Sequence, residues 1–296
     1  MTRVFGVLCV RDAADVVGPV LRNTLALGVE RVIVLDNGST DGTTKVLEQL
    51  ARRHPIDWSP HEGPFAQAEI VSGLIARAGA EGADWVLPLD ADEFWWCGRG
   101  LLDVLDHTDA GALYCPIHQF LQRWDVAEPS PRGLLTMTRR AVPRDPPDHD
   151  PAAVVERGEA SVAEIAPPRK VIVRAGPGVG VGAGSHDAVG AVGPLAPADD
   201  INVLHAPLRA RSTFAPRVAR RRSTDSADVQ RSWHSKRWAR IAAEGPEALD
   251  AEWRANAYGP DGTLLVAGVA HPTIEDGRLA EAARPWVGRR WGGARA

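Results

Sequence analysis

Two patterns of apolar and polar positions alternate along the chain up to Asp90. "VFGVLCV" (Val4 to Val10) is a short β-branched apolar run, typical of a strand buried on both faces. "ADVVGPVLRNTLALG" has helical apolar spacing and stops at Gly28, as helices often do. "RVIVLD" and "DWVLPLD" repeat the strand pattern, and "TTKVLEQL" and "AQAEIVSGLIARAGAEG" repeat the helical one. This β-α-β-α order predicts an α/β fold whose mostly parallel central sheet is flanked by helices.

The rhythm changes after Asp90. "GALYCPIHQF" and "GLLTMTRRAV" predict strands of a smaller mixed sheet, and the prolines of "PRDPPDHDP" (Pro143 to Pro151) predict a loop or lid. "RKVIVR" and "INVLHAPLRA" each hold a strand, and the glycines between them predict a mobile loop. The pattern is helical from Ser212 to about Glu252, and an irregular tail follows. We therefore predict one domain over residues 1–210, with halves 1–95 and 96–210, and a helical, Trp-rich C-terminal extension over 211–296.

Composition changes this picture little. The 296 residues, 44% of them hydrophobic, suffice for a full core, and a formal net charge of -4 gives no reason to expect nucleic acid as a partner. The locally basic stretch from Arg217 to Arg240 alternates with apolar residues and fits a solvated helix face better than a phosphate-tracking surface. Three cysteines without paired spacing, and no secretory signal, predict a cytoplasmic protein. No apolar run approaches the roughly 20 residues that a spanning helix needs, so we expect a soluble chain with peripheral membrane contact at most.

Polar clusters follow several of the predicted strands. Arg11 and Asp12 follow the first strand, residues 36–41 end the second strand and follow it, and "DADEF" (Asp90 to Phe94) follows a later one. Ligands of open α/β sheets bind at the carboxyl ends of the strands, so we expect these clusters to lie together. A further cluster around His205 joins them only if its strand returns to the same edge.

The segment "DNGSTDG" has a structural interpretation and a functional one. Ser39 or Asp41 caps the following helix, and the glycines make the turn. That interpretation leaves Asp36 and Asn37 without a structural role. A carboxylate at the position of Asp36 can accept hydrogen bonds from a nucleobase imide or a ribose hydroxyl, which favours a nucleotide-binding turn.

The segment "DADEF" points to a cation. On an extended segment the side chains of Asp90 and Asp92 point to one side, where they repel each other unless a cation lies near them. Mg²⁺ or Mn²⁺ neutralises both a carboxylate and a diphosphate. The alternative is a pair of exposed acids that end a strand. Trp95 and Trp96 follow at once; one is expected in the core, and an indole face suits the C–H face of a sugar.

Several blocks together resemble the family 2 type of glycosyltransferase with a GT-A fold, particularly its bacterial branch. "RDAADVVGPVLRNTLALGVERVIVLDNGSTDGT" with "LPLDADEF" is similar to that branch's Asp-Asn-x-Ser-x-Asp-Gly-Thr and Asp-x-Asp-Glu-Phe motifs, and "HAPLRARSTFAPR" to its His-Tyr-x-x-Arg segment. The resemblance covers about residues 4–220. The chain departs from the pattern at three positions, with Asp12 for Asn, Ala13 for Glu and Ala206 for Tyr.

The resemblance implies transfer of a sugar, with inversion, from a nucleotide diphosphate donor to an acceptor hydroxyl on a glycan or small molecule. A UDP-sugar is the favoured donor, with GDP- and dTDP-sugars as alternatives. Asp36 would hold the base with support from Asn37, and Asp90 would touch the ribose or a metal-bound water. Asp92 would ligate Mn²⁺ or Mg²⁺, with His205 as a third protein contact on the metal or diphosphate. Candidate phosphate contacts are Arg11, Lys170 and Arg209.

Some of these roles have plain alternatives. His205 can be a strand-end histidine satisfied by a backbone carbonyl. Lys170 and Arg209 can each be a solvated charge at a strand edge.

An inverting reaction needs one base on the acceptor side. The acids of "DADEF" are occupied by metal and ribose in the implied site, and Asp145, Asp148 and Asp150 lie in the Pro-rich loop. We therefore place the base at "SHDA", with Asp187 ahead of His186. The alternative is that these two residues form a polar turn.

Two rival functions follow from the same sequence. A nucleotidyltransferase shares this architecture and a metal-binding Asp, but it needs a Gly- and basic-rich loop after the first strand, which "VLCVRDAADVV" lacks. A non-catalytic sugar-binding or scaffold protein with this fold would bind a nucleotide-sugar without turning it over.

Overall fold

A computed structural model of the chain describes residues 2–144, 150–214 and 233–288. These residues form two compact units. Unit 1 comprises Met1–Ile117, Pro168–Leu204 and Ala282–Ala296, and unit 2 comprises His118–Pro167 and His205–Glu281. The two units interleave in sequence.

The strands and helices are numbered in chain order. The strands are β1 (Val4–Val10), β2 (Arg31–Asp36), β3 (Ile56–Pro60), β4 (Trp85–Leu89), β5 (Glu93–Cys97), β6 (Ala112–Cys115), β7 (Ile117–Arg123), β8 (Arg139–Ala141), β9 (Lys170–Arg174), β10 (Gly180–Val181), β11 (Ala188–Val189), β12 (Leu195–Pro197), β13 (Ile201–His205), β14 (Ala257–Tyr258), β15 (Leu264–Val266), β16 (Val269–His271) and β17 (Thr273–Glu275). The helices are α1 (Val17–Ala26), α2 (Thr43–Ala51), α3 (Gln67–Ala80), α4 (Leu101–Asp106), α5 (Pro151–Arg157), α6 (Trp233–Glu244), α7 (Pro246–Ala255) and α8 (Arg278–Ala283).

Unit 1 is built on a seven-stranded sheet in the order β12-β6-β9-β4-β1-β2-β3. Neighbouring strands are parallel except at β9, which runs antiparallel to both β4 and β6. Val71 and Ile75 of α3 pack against Phe5 and Val7 of β1 in a buried apolar cluster. Leu8, on the opposite side of the same strand, is also fully buried, so both faces of the sheet are covered. The predicted α/β fold with a mostly parallel sheet is confirmed.

The β-α alternation up to Asp90 follows the sequence prediction closely, except that β3 was not predicted. β3 is an edge strand whose central residues are only partly buried, and it ends at the exposed Pro60. An edge strand that buries little apolar surface leaves a weak sequence pattern.

The Gly-rich segment after β9 forms a small hairpin rather than a free loop. β10 pairs with β11, and the backbone N–H of Val181 donates to Ser72 Oγ of α3 at 3.0 Å. Val179 and Val181 are buried in the core beside α3. The first strand of the hairpin is therefore held against α3, which contradicts the expectation of a mobile loop there.

Unit 2 contains β7, β8 and β17 side by side, with β14 paired to β7 and a separate β15–β16 hairpin. Phe214, Trp238 of α6 and Trp253 of α7 form an aromatic cluster, so Trp residues of the predicted helical extension do lie in a core. The tail predicted as irregular also holds β14 to β17 and α8. The predicted strand over "GLLTMTRRAV" is a 3₁₀ turn at Pro131–Thr136 followed by the short β8.

Some expectations fall beyond the described residues. These are the central part of the Pro-rich loop (145–149), most of the basic stretch (217–232) and the last residues of the predicted tail (289–296). Among the helices that the structure does describe, none combines the length and apolarity needed to cross a lipid bilayer.

Candidate functional site

The ends of three strands meet at one edge of the sheet in unit 1. Val10 pairs with Asp36 across β1 and β2, and Leu8 pairs with Leu89 across β1 and β4. Because these strands are parallel, the turns that follow them emerge side by side. The predicted convergence of the clusters at Asp12, Asp36 and Asp90 is therefore observed.

The turns after β1 and β2 are joined by side-chain hydrogen bonds. Three successive backbone N–H groups after β1 donate to hydroxyl or carboxylate oxygens of the turn after β2 and of the first residue of α2. In the opposite direction, the Asp12 carboxylate accepts from a backbone N–H of the turn after β2. Asp12 itself has a positive φ of 49°, a conformation that Asp tolerates better than most residues. The bonds are Asp12 N to Ser39 Oγ at 3.0 Å, Ala13 N to Thr43 Oγ1 at 2.8 Å, Ala14 N to Asp41 Oδ2 at 3.0 Å and Thr40 N to Asp12 Oδ1 at 2.8 Å.

Asp36 has a structural role, contrary to the sequence-based interpretation. Its side chain is buried, and its Oδ1 accepts from the backbone N–H of Ser39 at 3.1 Å and from Ser39 Oγ at 2.5 Å. Its Oδ2 accepts from Thr44 Oγ1 at 2.7 Å. Asn37 is half-buried, and its backbone N–H donates to Val10 O at 2.8 Å. Asp36 therefore fixes the turn as well as ending β2 at the candidate site.

The Asp90 carboxylate forms a salt bridge with a buried lysine. Lys170 Nζ lies 2.6 Å from Asp90 Oδ2 and 2.9 Å from Glu93 Oε2. The Lys170 side chain is 0% exposed and that of Glu93 3%, whereas that of Asp90 is 32% exposed. Gln67 Nε2 lies 3.4 Å from the other oxygen, Asp90 Oδ1. Asp90 is thus the solvent-accessible member of an ionic cluster of three side chains.

The antiparallel direction of β9 explains how Lys170 reaches this edge. Val86 pairs with Val173, and the same register places Lys170, the first residue of β9, opposite the end of β4. Burial opposes a charge on Lys170, but the charges of Asp90 and Glu93 outweigh it and raise the pKa of the ammonium above its usual range. The side chain of Lys170 is fully buried, so the alternative of a solvated charge at a strand edge is wrong.

The segment from Asp90 to Glu93 is a tight turn rather than an extended stretch. The backbone N–H of Glu93 donates to Asp90 O at 3.1 Å, which closes the turn between β4 and β5. The premise that Asp90 and Asp92 point to one side because the segment is extended is therefore wrong. Asp92 is half-buried in this turn. Trp95 is buried and Trp96 half-buried, as expected for a pair with one core member.

The carboxylates of Asp90 and Asp92 suit a hard divalent cation. Mg²⁺ binds through one or two carboxylates and completes its shell with water and substrate phosphates. Across residues 2–144, 150–214 and 233–288, no group of three or more His, Cys, Asp or Glu side chains is arranged to hold a metal by itself. The residues that would hold such a cation here are Asp90, which solvent reaches, and Asp92, which is half-buried. His205, the third predicted ligand, ends β13 and belongs to unit 2.

His186 lies in electrostatic range of the same cluster. Its Nδ1 is 3.1 Å from Arg169 O, and because a carbonyl only accepts, Nδ1 carries the proton and Nε2 keeps its lone pair. Burial and then the Lys170 charge lower the pKa of His186, with Asp90 and Asp187 acting in the opposite direction. Asp187 itself is exposed. The His186 imidazole is therefore neutral near pH 7 and able to accept a proton.

Other predicted site residues have less informative positions. Arg11 is exposed at the end of β1, with Nε 3.9 Å from Asp12 Oδ2. Arg209 is half-buried in unit 2 and donates to Ala206 O at 3.2 Å. Cys9 was not among the predicted site residues: burial, then the charges of Asp90 and Asp36, raise the pKa of its thiol to about 11.

No protein-family model and no curated protein matches the chain. Among solved structures, S. aureus TarS 1-349 is similar with a TM-score of 0.42 and 13% identity, over 82% of this chain and 70% of that one. The mannosyltransferase PcManGT from Pyrobaculum calidifontis, in complex with GDP-Man and Mn²⁺, is similar with a TM-score of 0.42 and 17% identity. This match covers 86% of this chain and 69% of that one. Glucosyl-3-phosphoglycerate synthase from Mycobacterium tuberculosis is similar with a TM-score of 0.30 and 18% identity, over 39% of this chain and 44% of that one. Likeness of this degree does not assign an activity to this chain.

Proposed function

We propose that this chain is a GT-A-type glycosyltransferase that moves a sugar from a nucleotide diphosphate donor to an acceptor hydroxyl, with inversion. The observation that carries the proposal is the meeting of two motif blocks at one edge of a mostly parallel sheet. The turn that holds Asp36 and the turn that holds Asp90 follow β2 and β4, and both strands flank β1. This edge is where open α/β sheets bind nucleotides.

The binding roles follow from exposure and charge. Asp36 ends β2 and Asn37 follows it, where a nucleobase or ribose would lie, and the bonds from Ser39 and Thr44 hold the Asp36 carboxylate in one orientation. Asp90 and Asp92 would hold Mn²⁺ or Mg²⁺ together with diphosphate oxygens. That cation, when bound, stabilises the charge that builds on the leaving diphosphate.

His186 is the better candidate for the base. A base must present a lone pair at the operating pH, and Nε2 does so because Nδ1 is committed to Arg169 O. Asp187, which the sequence argument ranked first, is exposed. In the proposed mechanism His186 Nε2 takes the proton from the acceptor hydroxyl as the new glycosidic bond forms on the face opposite the departing diphosphate.

The proposal is tested with UDP-, GDP- and dTDP-sugars in the presence of Mn²⁺, Mg²⁺ or EDTA. We expect calorimetric binding of a nucleoside diphosphate with a divalent cation and much weaker binding with EDTA, because Asp90 and Asp92 otherwise face the diphosphate as like charges. Release of nucleoside diphosphate from the sugar donor, by hydrolysis or transfer, is the expected activity. Binding without any turnover would instead identify a sugar-binding protein, and release of pyrophosphate a nucleotidyltransferase.

A further inference from the structure

Glu93 is the residue of the Asp90 cluster that the proposed function leaves without a task. It begins β5, it is almost completely buried, and its Oε2 lies 2.9 Å from Lys170 Nζ. A buried carboxylate beside a buried ammonium is expensive to desolvate, and apolar residues of similar volume can replace such a pair without loss of stability. Stability alone therefore does not explain why Glu93 and Lys170 are paired in the interior.

The charges of the cluster suggest that explanation. Asp90 and Glu93 carry two negative charges and Lys170 one positive charge, so the cluster retains one net negative charge. Without Glu93, Lys170 would cancel the charge of Asp90 completely. With Glu93 present, Lys170 is neutralised from the buried side, and the remaining negative charge resides on Asp90, the one side chain of the three that solvent reaches.

We propose that Glu93 is a positioning residue that neutralises Lys170, so that Lys170 can hold the Asp90 carboxylate in place without cancelling its charge toward a divalent cation. The inference rests on the proposed function, because it concerns the cation of the donor site. When a cation binds Asp90, Lys170 stays paired with Glu93, so no buried charge is left alone. Gln67, near the other Asp90 oxygen, is neutral and does not alter this balance.

The test measures the Kd for Mn²⁺, alone and with UDP, by calorimetry or electron paramagnetic resonance. In Glu93→Gln the Lys170 charge falls entirely on Asp90, so we expect Mn²⁺ binding to weaken roughly tenfold or more. In the double variant with Lys170→Met and Glu93→Gln, Asp90 loses the Lys170 ammonium, and Mn²⁺ binding should return to the wild-type value or become tighter. The double variant also removes both buried charges, which protects the fold.

A matched control separates this effect from a general loss of negative charge. Glu30 pairs with Arg3 on the exposed surface of unit 1, so Glu30→Gln should leave the Kd for Mn²⁺ unchanged. Thermal unfolding of each variant, without metal, checks that the site is folded.

The remaining outcomes of these measurements would contradict the inference. Unchanged Mn²⁺ binding in Glu93→Gln overturns it, and so does a double variant that binds as weakly as the single one, since Glu93 would then act directly on the cation. Wild-type protein that transfers sugar equally well in EDTA overturns the inference while the proposed function stands. Wild-type protein that neither binds nor turns over any nucleotide-sugar overturns the proposed function first.

Discussion

Asp36 serves both the turn after β2 and the candidate donor site, and substitution can separate the two. Asp36→Ala leaves the Ser39 and Thr44 donors without their acceptor, so we expect the free energy of unfolding to fall by about 2 kcal/mol. Asp36→Asn keeps one acceptor oxygen, so its free energy of unfolding should fall less. Both variants should bind UDP more weakly even in EDTA, measured by calorimetry. Wild-type UDP affinity in Asp36→Asn would limit Asp36 to its structural role.

Asp92 provides the matched comparison at the neighbouring turn. Asp92→Ala should abolish only the part of UDP binding that depends on Mn²⁺, because we place it on the cation and not on the base. Titrations of UDP with and without EDTA distinguish the two variants. Indistinguishable effects of Asp36→Ala and Asp92→Ala would mean that the two acids do not have separate tasks.

His186 permits a test of the base that keeps its surroundings. The side-chain amide of Asn can donate to Arg169 O as His Nδ1 does, but it offers no basic nitrogen at the position of Nε2. His186→Asn should therefore bind donor normally and lose transfer by roughly 10²-fold or more. Asp187→Asn should stay near the wild-type rate. A large loss in Asp187→Asn with a small one in His186→Asn would reverse the assignment.

The pH profile of transfer tests the same residue. Burial and the Lys170 charge hold the pKa of His186 below its usual range, and a base acts in its deprotonated form. Transfer should therefore rise with pH through that lowered pKa, so the midpoint of the rise should lie below that of an ordinary histidine. His186→Asn should lack this acid limb of the profile.

At the scale of elements, the contact between β10 and α3 can be tested from both sides. A Cβ at Gly180 would lie 2.5 Å from Ser72 Oγ, so Gly180→Ala should destabilise the protein by roughly 1–3 kcal/mol. A Cβ at Gly73, next to Ser72 on the helix, would meet nothing within 4 Å, so Gly73→Ala should stabilise it by roughly 0.5–1 kcal/mol. Urea unfolding measures both. Equal stability of the two variants would mean that the hairpin is not held against α3.

The elements that the sequence predicted well are those with a strong local pattern. β1, β2 and β4 are apolar runs buried on both faces, and α1 and α3 have clear helical spacing. The reversed direction of β9 has no local signal, because "RKVIVR" has the same pattern in either orientation. Pairing partners depend on the whole sheet, which is also why the division into two interleaved units was not anticipated.

The site was predictable to the same extent as the strands that carry it. The convergence of Asp36 and Asp90 at one edge of the sheet was predictable, because Asp36 ends a strand with a strong pattern and Asp90 follows another. The partnership of Lys170 with Asp90 and Glu93 joins residues far apart in sequence, so only the assembled sheet reveals it. The single clue was a lysine immediately before an apolar strand, which is also typical of a surface residue.

At the scale of the whole molecule, acid should weaken unit 2 through Asp276. Burial opposes its charge, but bonds from Arg278 and Arg140 outweigh this and lower the pKa of Asp276 to about 2. Because the folded pKa lies below the unfolded value near 3.9, the stabilisation is complete above about pH 4 and is lost as the pH falls toward 2, a change on the order of 2 kcal/mol. Hydrogen exchange of peptides from β8 and β17, between pH 5 and 2.5, measures it. Asp276→Asn should be less stable at pH 5 and should show a smaller acid effect.

The pairing of Glu93 with Lys170 also constrains the order in which the chain can fold during synthesis. The ribosome produces β4 and β5 well before β9, so the nascent chain contains Glu93 while its ammonium partner has yet to be made. A carboxylate resists burial without that partner, and the sheet lacks the strand between β4 and β6 until the same moment. A fragment that ends at Ile117 should therefore stay incompletely folded, and unit 1 should close only after residue 174 has left the ribosomal tunnel.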